Sequence, residues 1–167
     1  MTTPAIAVFT ANSISEILAT GGSASWVMSE PRARRHGYLV CVRNGKTAGP
    51  DAREPHGAAF LIGRIRDIED AGRDRKGLVR WTIMISEYAV IEQPDVWREW
   101  RNPVRYTTLE DLGISLEGLE FAPVPKAKVA PKPPLPRVRP LTVVEAKEGL
   151  AAALGVEASA IEIVIRA

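Results

Sequence analysis

Sulfur and imidazole are almost missing from this chain: Cys41 is the only cysteine, and His36 and His56 are the only histidines. One cysteine excludes an internal disulfide, and so few ligands disfavour a cysteine-and-histidine zinc cage, so metal chemistry would have to rest on carboxylates. Long apolar runs are missing too. Nothing approaches the roughly 20 residues of a membrane-spanning helix, and the N-terminal stretch lacks the basic start and apolar core of a secretory signal, which leads to the expectation of a cytoplasmic protein without a membrane. Serine-nucleophile motifs and dinucleotide fingerprints are absent, and no cofactor is expected. Aromatic residues amount to only 6% of the sequence.

What is present is an ordinary globular composition, 46% apolar and 25% charged over 167 residues, which suits one domain and an appendage. Net charge is only +2, but it is distributed in blocks. Residues 32–80 carry 12 Lys and Arg against 6 Asp and Glu, whereas residues 81–121 carry 3 against 8. A basic half beside an acidic one is compatible with phosphate binding and equally with a solvated surface.

The stretch 122–140, APVPKAKVAPKPPLPRVRP, has too many prolines for a helix or a central strand and reads as an extended linker with five positive charges and no acid. It separates residues 1–121 from residues 141–167. PKPPLP also fits a PxxP ligand, though a spacer accounts for it more simply.

Within 1–121, AIAVFT, YLVCVR (38–43), FLIGRIRDI (60–68) and LVRWTIMIS (78–86) read as strands of an antiparallel sheet, with AGRDRKG as a hairpin loop. Gly63 interrupts the second long strand and marks a bulge or a close approach. Trp81, in phase with Val79, Ile83 and Ile85, is expected in the core. Ser13 with Glu16 and Thr107 with Glu110 form capping boxes, predicting a helix up to Gly21-Gly22 and about one and a half turns ending at Gly113. VWREW is expected to form one helical turn closed by Pro103, burying Trp97 or Trp100 and turning Arg98, Arg101 and Arg105 outward. After the linker, Thr142 and Glu145 cap a helix ending near Gly155, and IEIVIR (161–166) alternates as a strand. That strand would pair within an assembly, as in a homodimer.

The succession SASWVMSEPRARRHGYLVCVRN, FLIGRIRDI, RWTIMISEYAVI and WRNPVRYTTLEDLGI resembles the PUA-like superfamily, in particular its EVE and ASCH members, over roughly residues 5–121. The fold class expected is therefore α+β: a small antiparallel PUA-like β-barrel with short helices, plus the C-terminal helix-strand appendage. The resemblance implies a barrel mouth that holds RNA, or a flipped and modified base of DNA, between aromatic side chains. Candidates for that role are Trp26, Tyr38, Trp97 and Trp100, with Arg32, Arg34, Arg35 and Arg101 as phosphate partners. Arg32, Arg34 and Arg35 belong to RARRHG, the densest basic cluster, which lies between Trp26 and Tyr38. Each tryptophan is also a natural packing residue.

Two other functions fit the residues. A protein-interaction or regulatory module would bury the aromatics and use the edge of IEIVIR. A metal-independent ribonuclease would use His36 or His56 with Arg32, Arg35 or Arg53, since imidazole supplies acid-base groups and arginine stabilises a phosphorane. Asp67, Glu69, Asp70 and Asp74 could attract Mg²⁺ but read more simply as a charged hairpin tip.

Overall fold

The computed structural model describes residues 2–49, 53–125 and 142–163. Contacts divide the chain into two units, residues 1–128 and 129–167. The first unit is a mixed sheet with short helices. Its strands are β1 (Pro4–Thr10), β2 (Gly22–Trp26), β3 (Tyr38–Arg43), β4 (Ala59–Arg73), β5 (Val79–Gln93), β6 (Val104–Thr108) and β7 (Ala122–Pro123), with α1 (Ile14–Thr20) and α2 (Glu30–Ala33) between the first three.

The spatial order is β2-β5-β4-β3-β1-β6, with β7 also on β5. The sheet is open, which corrects the expected closed barrel. Closure would require the two terminal strands to pair, but β6 pairs with β1 alone, and the outer edge of β5 is shared by two short strands, β2 and β7. It is also not purely antiparallel. β1 and β3 run parallel, because the chain from Thr10 to Tyr38 passes through α1, β2 and α2, a connection long enough for a crossover.

Both faces of the sheet are covered, so its central strands are apolar at consecutive positions. Ala5, Ala7, Val40 and Val42 face one core with Ile62, Ile91 and Leu112, while Ile6, Val8, Leu39 and Cys41 face the other with Phe60, Ile83 and Ile85. β4 and β5 form a hairpin of two 15-residue strands, longer than the sequence pattern indicates. Register shifts along it turn the strands and let Ile85 approach Gly63, where an added Cβ would lie 2.8 Å from the Ile85 side chain. The hairpin tip is closed by Asp74, which accepts amides of Lys76 and Leu78 and pairs with Arg80 at 3.0 Å. Trp81, near this exposed end, packs against the core of Ile83 and Ile85 as expected but is only half-buried.

α1 forms as its sequence predicts. Ser13 and Glu16 make both bonds of the capping box, and Gly21 ends the helix at φ 78°. Residues 107–113 do not form the expected helix. β6 extends through Thr108 and Leu109 donates to Thr3, so the sheet takes the backbone that a helix would have used. Glu110 turns its carboxylate to the amide of Thr3 at 2.9 Å and to its hydroxyl at 2.9 Å, while Thr108 caps the amide of Asp111 at 3.2 Å. Gly113 does take the left-handed conformation, φ 69°.

In the second unit α3 (Val143–Leu154) carries the Thr142–Glu145 capping box and ends at Gly155, φ 67°. A short 3-10 turn, Ala158–Ala160, follows. Residues 161–163 are not in a strand, contrary to expectation, and residues 164–166 of that strand lie outside the described residues, as do residues 126–140 of the expected linker. Among the described residues no helix is long and apolar enough to cross a membrane.

Candidate functional site

The loops after β3, before β4 and after β5 meet at one end of the sheet, and a buried arginine ties the loop before β4 to the turn after β1. Arg43 is only 1% exposed. Its guanidinium pairs with Glu54 at 2.8 Å, donates to the carbonyls of Ala11 and Asn12, and lies over the Phe60 ring at 4.0 Å. A buried charge needs such complete pairing. The Arg43 carbonyl accepts the amide of Gly57, and the Gly57 carbonyl in turn accepts the amides of both Val96 and Trp97, at 2.9 and 3.0 Å. Gly57 has φ 84°, a conformation that side chains rarely adopt.

This anchorage explains why VWREW is not the expected helical turn. Two of its amides are held by a neighbouring loop, and Asp95 and Glu99 adopt left-handed conformations, φ 53° and 48°. Trp97 stacks flat on Phe9 with centroids 4.6 Å apart, and Trp100 meets Trp97 edge-on at 5.0 Å. Both tryptophans remain half-buried. Arg98 and Arg101 are exposed, whereas Arg105 lies over the Trp100 ring at 4.4 Å instead of simply facing water.

His56 closes the aromatic group, its ring edge-on to Phe9 at 5.3 Å. Its Nδ1 accepts the amide of Gly45 at 3.1 Å, which leaves the proton of the neutral ring on Nε2. Gly45 permits this approach, because a Cβ there would lie 3.1 Å from His56. These groups border a cleft of about 570 Å³ lined by Phe9, His56, Trp97 and Trp100 on its aromatic side and by Asn44, Lys46, Asp95 and Glu99 among its polar groups. Asn, Asp and Glu supply acceptors, and Lys and the His Nε2 supply donors.

The remaining candidates do not join this cleft. Trp26 packs with the opposite core, its Nε1 donating to Ser23 at 3.1 Å and its backbone paired across from Trp81. Tyr38 shares the face of Trp97 but stands at the far end of β3, near Phe121 and Arg64. Within RARRHG, Arg34 pairs with Glu30 and Asp67, fastening α2 to β4. Arg32 lies over the Tyr106 ring at 4.3 Å, and the His36 ring leans on the same tyrosine at 5.2 Å. Tyr106 accepts from the amide of Ser29 and donates to its carbonyl, both at 3.0 Å, and burial raises its pKa. Arg35 is exposed.

Of the residues expected at a site, Trp97, Trp100 and His56 line the cleft and exposed Arg101 follows Trp100 in the chain, whereas Trp26 and Tyr38, expected to share a pocket, are separated by the fold. Phe9, Lys46, Asp95 and Glu99 were not singled out. Only Lys46 had a sequence signal, the turn at Asn44-Gly45 beside it. Cys41 is fully buried, and desolvation pushes its thiol up to about 12, so it is not a nucleophile. Among the described residues no three carboxylate, His or Cys groups are placed to hold a metal ion. No protein-family model, curated protein or solved structure matches the chain.

Proposed function

We propose that the cleft between Trp97, Trp100 and His56 binds an unpaired nucleobase, in RNA or flipped out of DNA, without catalysing a reaction on it. The observation that carries this reading is the joining of an aromatic wall to both acceptors and donors in one cleft with arginines beside it. An apolar ligand would press against the carboxylates of Asp95 and Glu99, which are exposed at the cleft and would lose water without gaining a donor. A base offers a flat face to the tryptophans, ring N–H or exocyclic amino groups to the carboxylates, and a phosphate to the arginines. Arg98 and Arg101 have no ion-pair partner among the described residues, so they are available to a polyanion.

Tryptophan fluorescence, followed while short single-stranded RNA and DNA are titrated into the full chain at two salt concentrations, tests it. Stacking on an aromatic is worth about 1 to 3 kcal/mol, so Trp100→Ala should weaken binding by at least about fivefold. Trp26→Ala, on the other face, should bind as the unsubstituted protein does. Absence of quenching, or equal losses in the two variants, would refute a base site at this cleft.

A further inference from the structure

β6 is a terminal strand of the open sheet, and its pairing with β1 dictates what it presents. Phe9 donates to the carbonyl of Pro103 and Leu109 to that of Thr3, so the odd-numbered residues of this stretch bond to β1. The amides of the even-numbered ones, Tyr106 among them, therefore point away from the sheet. Side chains alternate across the same strand. Arg105 goes to one face and lies over Trp100 at 4.4 Å. Tyr106 goes to the other, where Arg32 lies over it at 4.3 Å and His36 packs beside it.

Two consecutive residues of one edge strand thus place a ring-held guanidinium on each face of the sheet. Exposed Arg35 lies in the chain between Arg32 and His36, the two residues that meet Tyr106, and exposed Arg98 and Arg101 flank Trp100 in the chain on the cleft side. The acids adjoining the basic side are already engaged: Glu30 and Asp67 pair with Arg34, and Glu110 binds Thr3. Asp95 and Glu99 line the cleft itself, and Asp111 lies beyond the end of the strand.

We propose that the β6 edge is a track for a phosphodiester backbone: a single strand whose base occupies the Trp97–Trp100 cleft continues around Val104–Thr108 to Arg32 and Arg35 on the opposite face. This rests on the base-binding reading and adds a polymer to it. A flat membrane could not meet guanidinium groups on two sides of one edge, whereas a flexible single strand can bend around it. Rings that fix the guanidinium planes reduce the entropy lost when phosphate is bound. The consequence is a length dependence. A mononucleotide uses the cleft alone; a longer strand uses both faces.

The test compares a ribonucleoside monophosphate with a single-stranded RNA of about 12 nucleotides, long enough for both faces, on the full chain, on the Arg32→Gln/Arg35→Gln double variant and on Trp100→Ala. The double variant should bind the mononucleotide normally, bind the longer RNA about tenfold more weakly, and lower the slope of log affinity against log salt by about 1.4, two phosphates at about 0.7 each. Arg32→Lys with Arg35→Lys should restore most of that slope, separating charge from any damage to the fold. If the double variant keeps the affinity and slope for the longer RNA while the mononucleotide still binds, the track is refuted and the cleft stands. If neither probe binds the unsubstituted protein, the base reading fails and the track with it. Displacement of the RNA by polyglutamate at equal charge would also overturn a site built for a phosphodiester.

Discussion

At Glu110 the backbone amide of Thr3, then the residue's own amide and the Thr3 hydroxyl, hold the carboxyl down at about 2 from the usual 4.5. A carboxyl whose pKa is lower folded than unfolded stabilises fully above the unfolded value, and that stabilisation is lost as pH falls through the folded one. The melting-temperature difference between the unsubstituted protein and Glu110→Gln should therefore be constant from neutral pH down to about 5, shrink on further acidification, and be gone only below about pH 2. A difference independent of pH would show that this carboxylate is not the acid-sensitive link between β1 and the turn after β6. The sequence signalled Glu110 as a helix cap. It could not signal Thr3, more than a hundred residues away, because only the pairing of β1 with β6 brings the two together.

Elements were most legible where their determinants are local. The boxes Ser13–Glu16 and Thr142–Glu145, each followed by a left-handed glycine, act within a single turn and form as the sequence indicates. Elements decided by neighbours were read less well. Thr107–Gly113 has the same box pattern and yields its backbone to the sheet, and VWREW yields two amides to Gly57. Gly22 shows the cost of such neighbours. In the sequence it marks a helix stop, yet it opens β2 so close to β5 that a Cβ would lie 2.1 Å from the Ile83 carbonyl oxygen. Gly22→Ala should cost about 3 kcal/mol or more, because backbone cannot move aside as a side-chain tip can. Gly37, with nothing within 4 Å of an added Cβ and no left-handed φ, is the control. Gly37→Ala should leave stability unchanged or raise it by up to about 1 kcal/mol. Denaturant midpoints of the two variants check both, and equal midpoints would contradict this packing of β2 on β5.

For the whole molecule, the first unit contains both cores, every strand described above and the cleft. A chain ending after Pro125 keeps β7 on β5 and should unfold cooperatively, with the near-ultraviolet circular dichroism of its tryptophans retained; a molten product would mean that residues beyond Pro125 complete the fold. Composition and periodicity by themselves determined that the chain is mixed α and β, where β1 and β3 lie, where β4 and β5 begin, where two capped helices begin, and that Gly63 marks a bulge or a close approach. Those properties depend on residues near one another in the chain, through hydrogen bonds and side-chain alternation of short range. Tertiary structure alone decided that the sheet stays open, that β1 and β3 run parallel, and that Phe9, His56, Trp97 and Trp100 meet while Trp26 faces the other core. Strand order and face are set by which distant segments bury their apolar sides together, and sequence spacing carries no record of that choice.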